Sequence, residues 1–368
     1  MSNKVHFKGL NGIRAIASLI VLIFHIDQFL PMFGLTSLGF YQTGMAGYGV
    51  TLFFVLSGFL ITRLLLIEKE TYDRIDLPKF YIRRILRIWP IYYLVILFAV
   101  IIYLTVPHLI TYPEGKVFVT FALYSGLLAN FALGLGLNIT PIAPLWSVGV
   151  EEQFYVFWPL LLRKSKKLLK TLLIIIIIYL AIKSSMYFLG KDRLYRLVSL
   201  CRFDCMAIGG IGAYLVHNKS KYLEFLYMPV IQAISWAILA VSVFYKPVHL
   251  FTLINDEFHA IVYLLIIMNV SSNPRSLIKL DNKFFDFIGR ISYGIYVYHV
   301  TVIIVLSLVF NQLFHFQATG SFFNYLLVFC SIVITTIAIS YISYNYFETY
   351  FLKLKTKFSV IESDAKGS

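Results

Sequence analysis

Long apolar stretches separated by short basic runs dominate this chain. Segments of membrane-crossing length fall near residues 11–30, 46–67, 90–107, 117–137, 147–163, 171–189, 199–217, 225–245, 257–270, 287–311 and 322–347, since roughly 20 apolar residues carry a helix across a bilayer. Basic clusters follow the second segment (Arg63, Lys69, Arg74, Lys79, Arg83, Arg84, Arg87), the fifth (Arg163, Lys164, Lys166, Lys167, Lys170), the seventh (Lys219, Lys221), the ninth (Arg275, Lys279, Lys283) and the last (Lys353, Lys355, Lys357). Positive loops stay on the cytoplasmic side, so an even number of crossings separates each pair of clusters. Three apolar segments lie between the first two clusters, and one of them therefore does not cross. The weakest is 117–137, which holds Gly126, Gly134 and Gly136 and runs into the proline-broken NITPIAPLWS. Residues 117–146 are expected to form a re-entrant excursion, tolerated where it is buried in protein or lines a cavity.

The pattern thus predicts an all-α polytopic membrane protein of about ten transmembrane helices, with both termini cytoplasmic. The short loop with Lys191, Arg193 and Arg196 then falls outside, against the charge rule. No repeat of fixed period and no soluble linker interrupts the chain. It divides into one membrane domain, residues 1–352, and a short polar tail, 353–368. The first segment carries Arg14 and His25 and lacks a small-residue cleavage site, so it is expected to be the first span rather than a signal peptide.

Composition agrees with this reading. Of 368 residues 59% are hydrophobic and 14% charged, and the mean hydropathy of +0.79 lies far outside the soluble range. The aromatic share of 17% suits interfacial belts and a lined cavity. A net charge of +14 invites a nucleic-acid partner, but the charges sit in runs between apolar segments, which topology explains and a nucleic-acid face does not. Cys201, Cys205 and Cys330 lie in apolar segments without paired or metal-ligand spacing, so neither a disulfide nor a metal site is expected.

Candidate chemistry begins in LNGIRAIASLIVLIFHIDQFL. Arg14 and His25 are eleven residues apart, three helical turns and roughly 16 Å of rise, and so share a face. Taken singly, each reads as a snorkelling arginine or a hydrogen-bonded core histidine. Together they read as an anion binder and a proton acceptor at two depths. Ser57 and Gly58 in the second span permit either close helix packing or close passage of a ligand. Arg83, Arg84 and Arg87 in FYIRRILRIWP are either a lipid anchor or a phosphate clamp.

In PLWSVGVEEQFYVFWPLL the adjacent carboxylates Glu151 and Glu152 stand beside Tyr155, and by depth from the outer face Glu151 is expected to meet His25. Arg202 and Asp204 are an intramembrane ion pair or part of an acceptor site. In FIGRISYGIYVYHVTVI, Tyr293 and Tyr296 share a face that lines a cavity or packs, and His299 lies near mid-depth.

The R-x10-H of Arg14 and His25, SGF at Ser57, RRxxRIxP at Arg83, WSxxxEEQFY at Trp146 and GRISYxxYxxH at Gly289 together resemble acyltransferase family 3, in order, over about residues 5 to 350. The resemblance implies a bacterial cell-membrane enzyme with about ten crossings that moves an acyl group, acetyl above all, from cytoplasmic acyl-CoA to a hydroxyl of a cell-surface carbohydrate or glycolipid. The family's essential arginine and histidine fall on Arg14 and His25, and its cytoplasmic arginine pair on Arg84 and Arg87. Many members carry serine where this chain has Gly149, which leaves Ser147 as the nearest hydroxyl. An appended extracytoplasmic domain, found in some members, is not expected here.

On this reading Arg14, Arg83, Arg84 and Arg87, with Ser57, hold the donor. His25 acts as general base or acyl carrier, and Glu151 or, less directly, Asp27 charges the imidazole. Glu152, Tyr155, Arg202, Asp204, Tyr293, Tyr296 and His299 are the expected acceptor contacts. Acyl-CoA is the expected donor substrate, with no tightly bound cofactor, no metal and no nucleic acid. A flippase for a lipid-linked saccharide is the rival; it calls for matching halves with discontinuous helices, and no such symmetry is visible.

Overall fold

The chain folds as a bundle of fifteen helices among the described residues: α1 (Leu10–Phe29), α2 (Met45–Tyr72), α3 (Leu77–Thr105), α4 (Val117–Ser125), α5 (Ala129–Gly134), α6 (Leu145–Lys164), α7 (Leu168–Phe188), α8 (Asp192–Cys201), α9 (Phe203–His217), α10 (Tyr222–Leu226), α11 (Pro229–Phe244), α12 (Asn255–Ser272), α13 (Lys283–Leu308), α14 (Phe322–Ser343) and α15 (Thr349–Thr356). This computed structural model describes residues 7–40, 44–245 and 248–359, with the backbone of 4–5 and 362–363.

Seven described helical stretches are long and apolar enough to cross a membrane: Leu10–Phe33, Met45–Tyr72, Leu77–Thr105, Leu168–Phe188, Asp192–His217, Lys283–Leu313 and Phe322–Thr356. α6 carries Glu151, Glu152, Arg163 and Lys164, α11 has 16 residues, and α12 opens on Asp256 and Glu257. Ten crossings would require these three to span as well. The molecule is all-α and polytopic, and its outer faces are strewn with exposed Leu, Ile and Phe, as a lipid-facing surface demands.

α1 and α13 run side by side in the same direction. At their start Asn11 Nδ2 donates to Asp286 Oδ1 at 3.3 Å, and a Cβ on Gly289 would stand 2.1 Å from the Asn11 carbonyl oxygen, so only glycine lets the two backbones close. A second seam joins α2 to α9. A Cβ on Gly58 would meet the Met206 carbonyl oxygen at 2.0 Å, and one on Gly209 the Val55 carbonyl oxygen at 2.1 Å. Of the two small neighbours in the second span, Gly58 packs and Ser57 is left to face inward.

Residues 117–146 form two short helices and a 3-10 turn at Thr140–Ile142. The nine residues of α4 rise about 14 Å, less than half of a bilayer core. Ile142 and Leu145 are fully buried, and Tyr296 Oη donates to the Pro144 carbonyl at 3.0 Å. α6 therefore starts deep inside the protein, at the level of the middle of α13.

The basic loop of Lys191, Arg193 and Arg196 belongs mostly to α8, whose ten residues include none that is buried. It packs through Leu197 against Gly134 and ends at Arg202 in a left-handed backbone conformation, φ 44°. Arginines on an amphipathic helix of this kind sit naturally at a lipid interface, which accounts for positive charge in that loop.

The helix does not stop at residue 352. α14 passes through a π-helical turn at Tyr344–Glu348 into α15, which packs on α3, and the Phe358 carbonyl accepts from Arg83 Nη1 at 2.9 Å. Lys4 and Val5 pair in parallel with Glu362 and Ser363, so these two segments lie side by side. The side chain of Asp76, just outside α3, caps that helix by accepting from the Lys79 N–H at 3.1 Å.

Candidate active site

A cavity of about 110 Å³ opens between α1, α2, α3, α6 and α13. Arg14, Arg84 and Arg87 reach it from α1 and α3, Ser57 from α2, Glu151 and Tyr155 from α6, and Tyr293 and Tyr296 from α13. Arg84 and Arg87 are three residues apart and so point the same way from α3. Arg14 is held in place by a relay: its Nη1 donates to Asn11 Oδ1 at 3.1 Å, and Asn11 donates in turn to Asp286. The Arg84 guanidinium lies 5.5 Å from the centre of the Tyr155 ring and 5.6 Å from that of Phe80, and its Nε is buried with no hydrogen-bond partner.

On the opposite wall Tyr155 Oη donates to Glu151 Oε2 at 2.8 Å. Having spent its proton there, the phenol accepts from Ser57 Oγ. This Ser57–Tyr155–Glu151 chain faces the three arginines. Tyr293 Oη donates to the Ile88 carbonyl at 2.9 Å, which ties α13 to α3 across the cavity. Tyr296 bonds Ser147 Oγ at 2.6 Å and the Pro144 carbonyl, closing the end of the cavity nearest His299, whose ring centre is 6.1 Å away.

His25 is not in the cavity wall. Its Nδ1 lies 2.9 Å from the Val21 carbonyl oxygen and 3.1 Å from His299 Nε2, and its ring meets Phe24 and Phe29. Tyr296, which lines the cavity, and His299, which meets His25, lie one turn apart on α13, between His25 and the arginines. Glu151 does not meet His25 either. Because α6 begins at the level of Tyr296, its seventh residue lies about 10 Å farther toward the arginine end. There the carboxylate faces Arg14 and Arg84.

Several other expected site residues are engaged elsewhere. Asp27 accepts from the Leu38 N–H at 2.6 Å and Ser37 Oγ at 2.9 Å, tying down the loop after α1 instead of reaching the imidazole. Arg83 pairs with Glu68 at 3.3 Å and with Phe358, outside the cavity. Glu152 accepts from the Trp89 indole at 2.8 Å and bridges α6 to α3. Arg202 pairs with Asp256 at 3.2 Å, not with Asp204, whose Oδ1 accepts from the Cys205 N–H in the first turn of α9. Close by, Lys183 Nζ meets Glu257 Oε1 at 2.9 Å. His299 faces His25.

Two residues near the cavity, Lys355 and Glu348, were not among the expected site residues. Lys355 of α15 lies within electrostatic reach of Arg87, Arg84, Arg14 and Arg83. Glu348 sits buried in the π turn near Arg87. Gly149 touches the turn after α4: a Cβ there would stand 2.9 Å from the Leu127 carbonyl oxygen. A serine at this place has no room here, and the nearest hydroxyl in the cavity wall is Ser147.

Residues 7–345 match the family model of the acyltransferase domain, acyltransferase 3. The chain belongs to that family. It is 27% identical over 378 residues to the O-acetyltransferase OatA of Staphylococcus aureus (strain NCTC 8325 / PS 47), covering 94% of this chain and 57% of the relative. With the peptidoglycan O-acetyltransferase OatA of Listeria monocytogenes serovar 1/2a it shares 28% identity over 335 residues, covering 82% and 50%. The chain thus spans about half the length of the curated relatives it matches. No solved structure matches it. The family resolves the rivalry with a flippase in favour of an acyltransferase.

Proposed function

We propose that this protein is a membrane O-acetyltransferase that moves an acetyl group from acyl-CoA to a hydroxyl of a cell-envelope carbohydrate, with the termini and the arginine cavity on the cytoplasmic side of the cell membrane. The observation that carries the reading is the half-buried excess of positive charge. Arg14, Arg84 and Arg87 converge on one cavity that holds Glu151 as a counter-charge, and partly desolvated guanidinium groups without enough partners call for an anionic ligand. The phosphates of a coenzyme A thioester supply such charge, and its pantetheine arm is of the same order of length as the Arg14–His25 separation. The names of the relatives supply the other half of the reading, a carbohydrate of the cell wall as acceptor.

In the proposed step the acceptor hydroxyl gives its proton to His25 Nε2 as its oxygen attacks the thioester carbonyl carbon. The carbon–sulfur bond breaks, and the leaving thiolate takes the proton back from the imidazolium. Tyr296 must swing aside for the acyl end to reach His25, giving up its bonds to Ser147 and Pro144.

Purified protein given acetyl-CoA and a sugar acceptor should release free CoA thiol. His25→Ala should abolish that release while the variant still accumulates folded in the membrane; undiminished release would refute the assignment. The double change Arg84→Ala, Arg87→Ala should raise the KM for acetyl-CoA by at least about tenfold, the order of one charge-assisted contact. An unchanged KM would reduce the two arginines to lipid anchors.

A further inference from the structure

His25 has a partner in α13 that takes no part in the proposed step. His299 lies fully buried in α13, its Nδ1 3.2 Å from the Ile295 carbonyl oxygen and its Nε2 3.1 Å from His25 Nδ1. His25 Nδ1 in turn lies 2.9 Å from the Val21 carbonyl oxygen.

These contacts determine where the protons are. A carbonyl oxygen only accepts. If His299 Nε2 donated to His25 Nδ1, two ring lone pairs would point at two carbonyl oxygens, His25 at Val21 and His299 at Ile295. The opposite arrangement satisfies every group. His299 Nδ1–H donates to Ile295, which leaves Nε2 as a lone pair. His25 Nδ1–H is then shared between the Val21 carbonyl and that lone pair. One tautomer remains for His25, with its Nε2 unprotonated and unengaged by this network.

We infer that His299 is a positioning residue: it fixes the tautomer and ring angle of His25 so that Nε2 is the nitrogen that takes the acceptor's proton. It does so as a neutral hydrogen-bond acceptor, occupying the place that a carboxylate holds behind the base in other acyl-transfer sites. When His25 becomes an imidazolium, the His299 Nε2 lone pair accepts the Nδ1–H bond more strongly, so the interaction grows as the proton moves. The imidazole thus acquires its support from α13, while Glu151 serves the arginine cavity. This inference rests on the proposed role of His25.

The test compares acceptors that differ in one atom. Glutamine at position 299 keeps an oxygen acceptor near the place of Nε2; phenylalanine keeps the bulk and loses the acceptor. His299→Phe should lower kcat roughly 10- to 100-fold, the range found when the outer partner of a working histidine is removed, and leave the KM for acetyl-CoA within about twofold. His299→Gln should recover much of that loss, with both variants matching the parent in membrane yield and thermal unfolding. A His299→Phe enzyme with parental kcat, or a His299→Gln enzyme as slow as His299→Phe, would overturn the inference while an inactive His25→Ala leaves the broader reading standing. Activity in His25→Ala would instead bring down the reading of the site itself.

Discussion

The chemistry of the site is set by single atoms. His25 and His299 stand fifteen and sixteen residues from the first residues of α1 and α13, and two parallel helices that start together bring such positions to one depth. The pair was therefore legible in the sequence once α1 and α13 were known to be parallel neighbours, a fact that lies in the packing of Gly289 and not in either motif. Gly149 shows the converse. That this position carries glycine has a steric cause, since the Leu127 carbonyl occupies the space a side chain would need. Gly149→Ser should cost about 1–3 kcal/mol of stability by overpacking, read as a lower unfolding midpoint in detergent. An unchanged midpoint would mean that the turn at Leu127, with its positive φ of 60°, relaxes at no cost.

At the scale of the element, the start of α6 decides which residues meet. Proline-broken chain at 138–144 signals irregular backbone, and the sequence shows that much. It does not show that this irregular stretch is folded inward, so that α6 begins beside Tyr296 and delivers Glu151 to the arginines. Depth measured from an assumed membrane surface fails wherever a helix starts beneath that surface.

The last helix is a second case. Composition alone makes 353–368 a polar tail, yet the chain runs on through a π turn into α15, which packs on α3 and brings Lys355 within electrostatic reach of four arginines. Like charges are gathered there against their mutual repulsion. Lys355→Ala should raise the acetyl-CoA KM roughly three- to tenfold and leave kcat within about twofold; unaltered donor kinetics would make α15 a mere structural clasp.

For the molecule as a whole, the all-α membrane architecture and its order of apolar segments could be read from hydropathy and charge. Partner choice among buried charges could not. Arg202 pairs with Asp256 and Lys183 with Glu257, joining α7, α9 and α12 across long stretches of sequence. Spacing on one helix says nothing about such partners. The α2–α9 seam is equally invisible in either segment alone. Gly209→Ala would drive a methyl into the Val55 carbonyl and should lower stability by more than Gly149→Ser does, because backbone faces backbone and no side chain can yield. Equal unfolding midpoints for Gly209→Ala and the parent in detergent would disprove that contact.

Those glycine contacts divide the bundle into parts that can yield and parts that cannot. With α1 locked to α13 and α2 locked to α9 through backbone against backbone, these pairs cannot part without losing contacts that no side chain can replace. The other walls, α3 and α6, are tied in by single side-chain bonds, Tyr293 to Ile88 and Trp89 to Glu152, so any widening of the arginine chamber costs least there; a cross-link between α3 and α6 should therefore act as a brake on turnover.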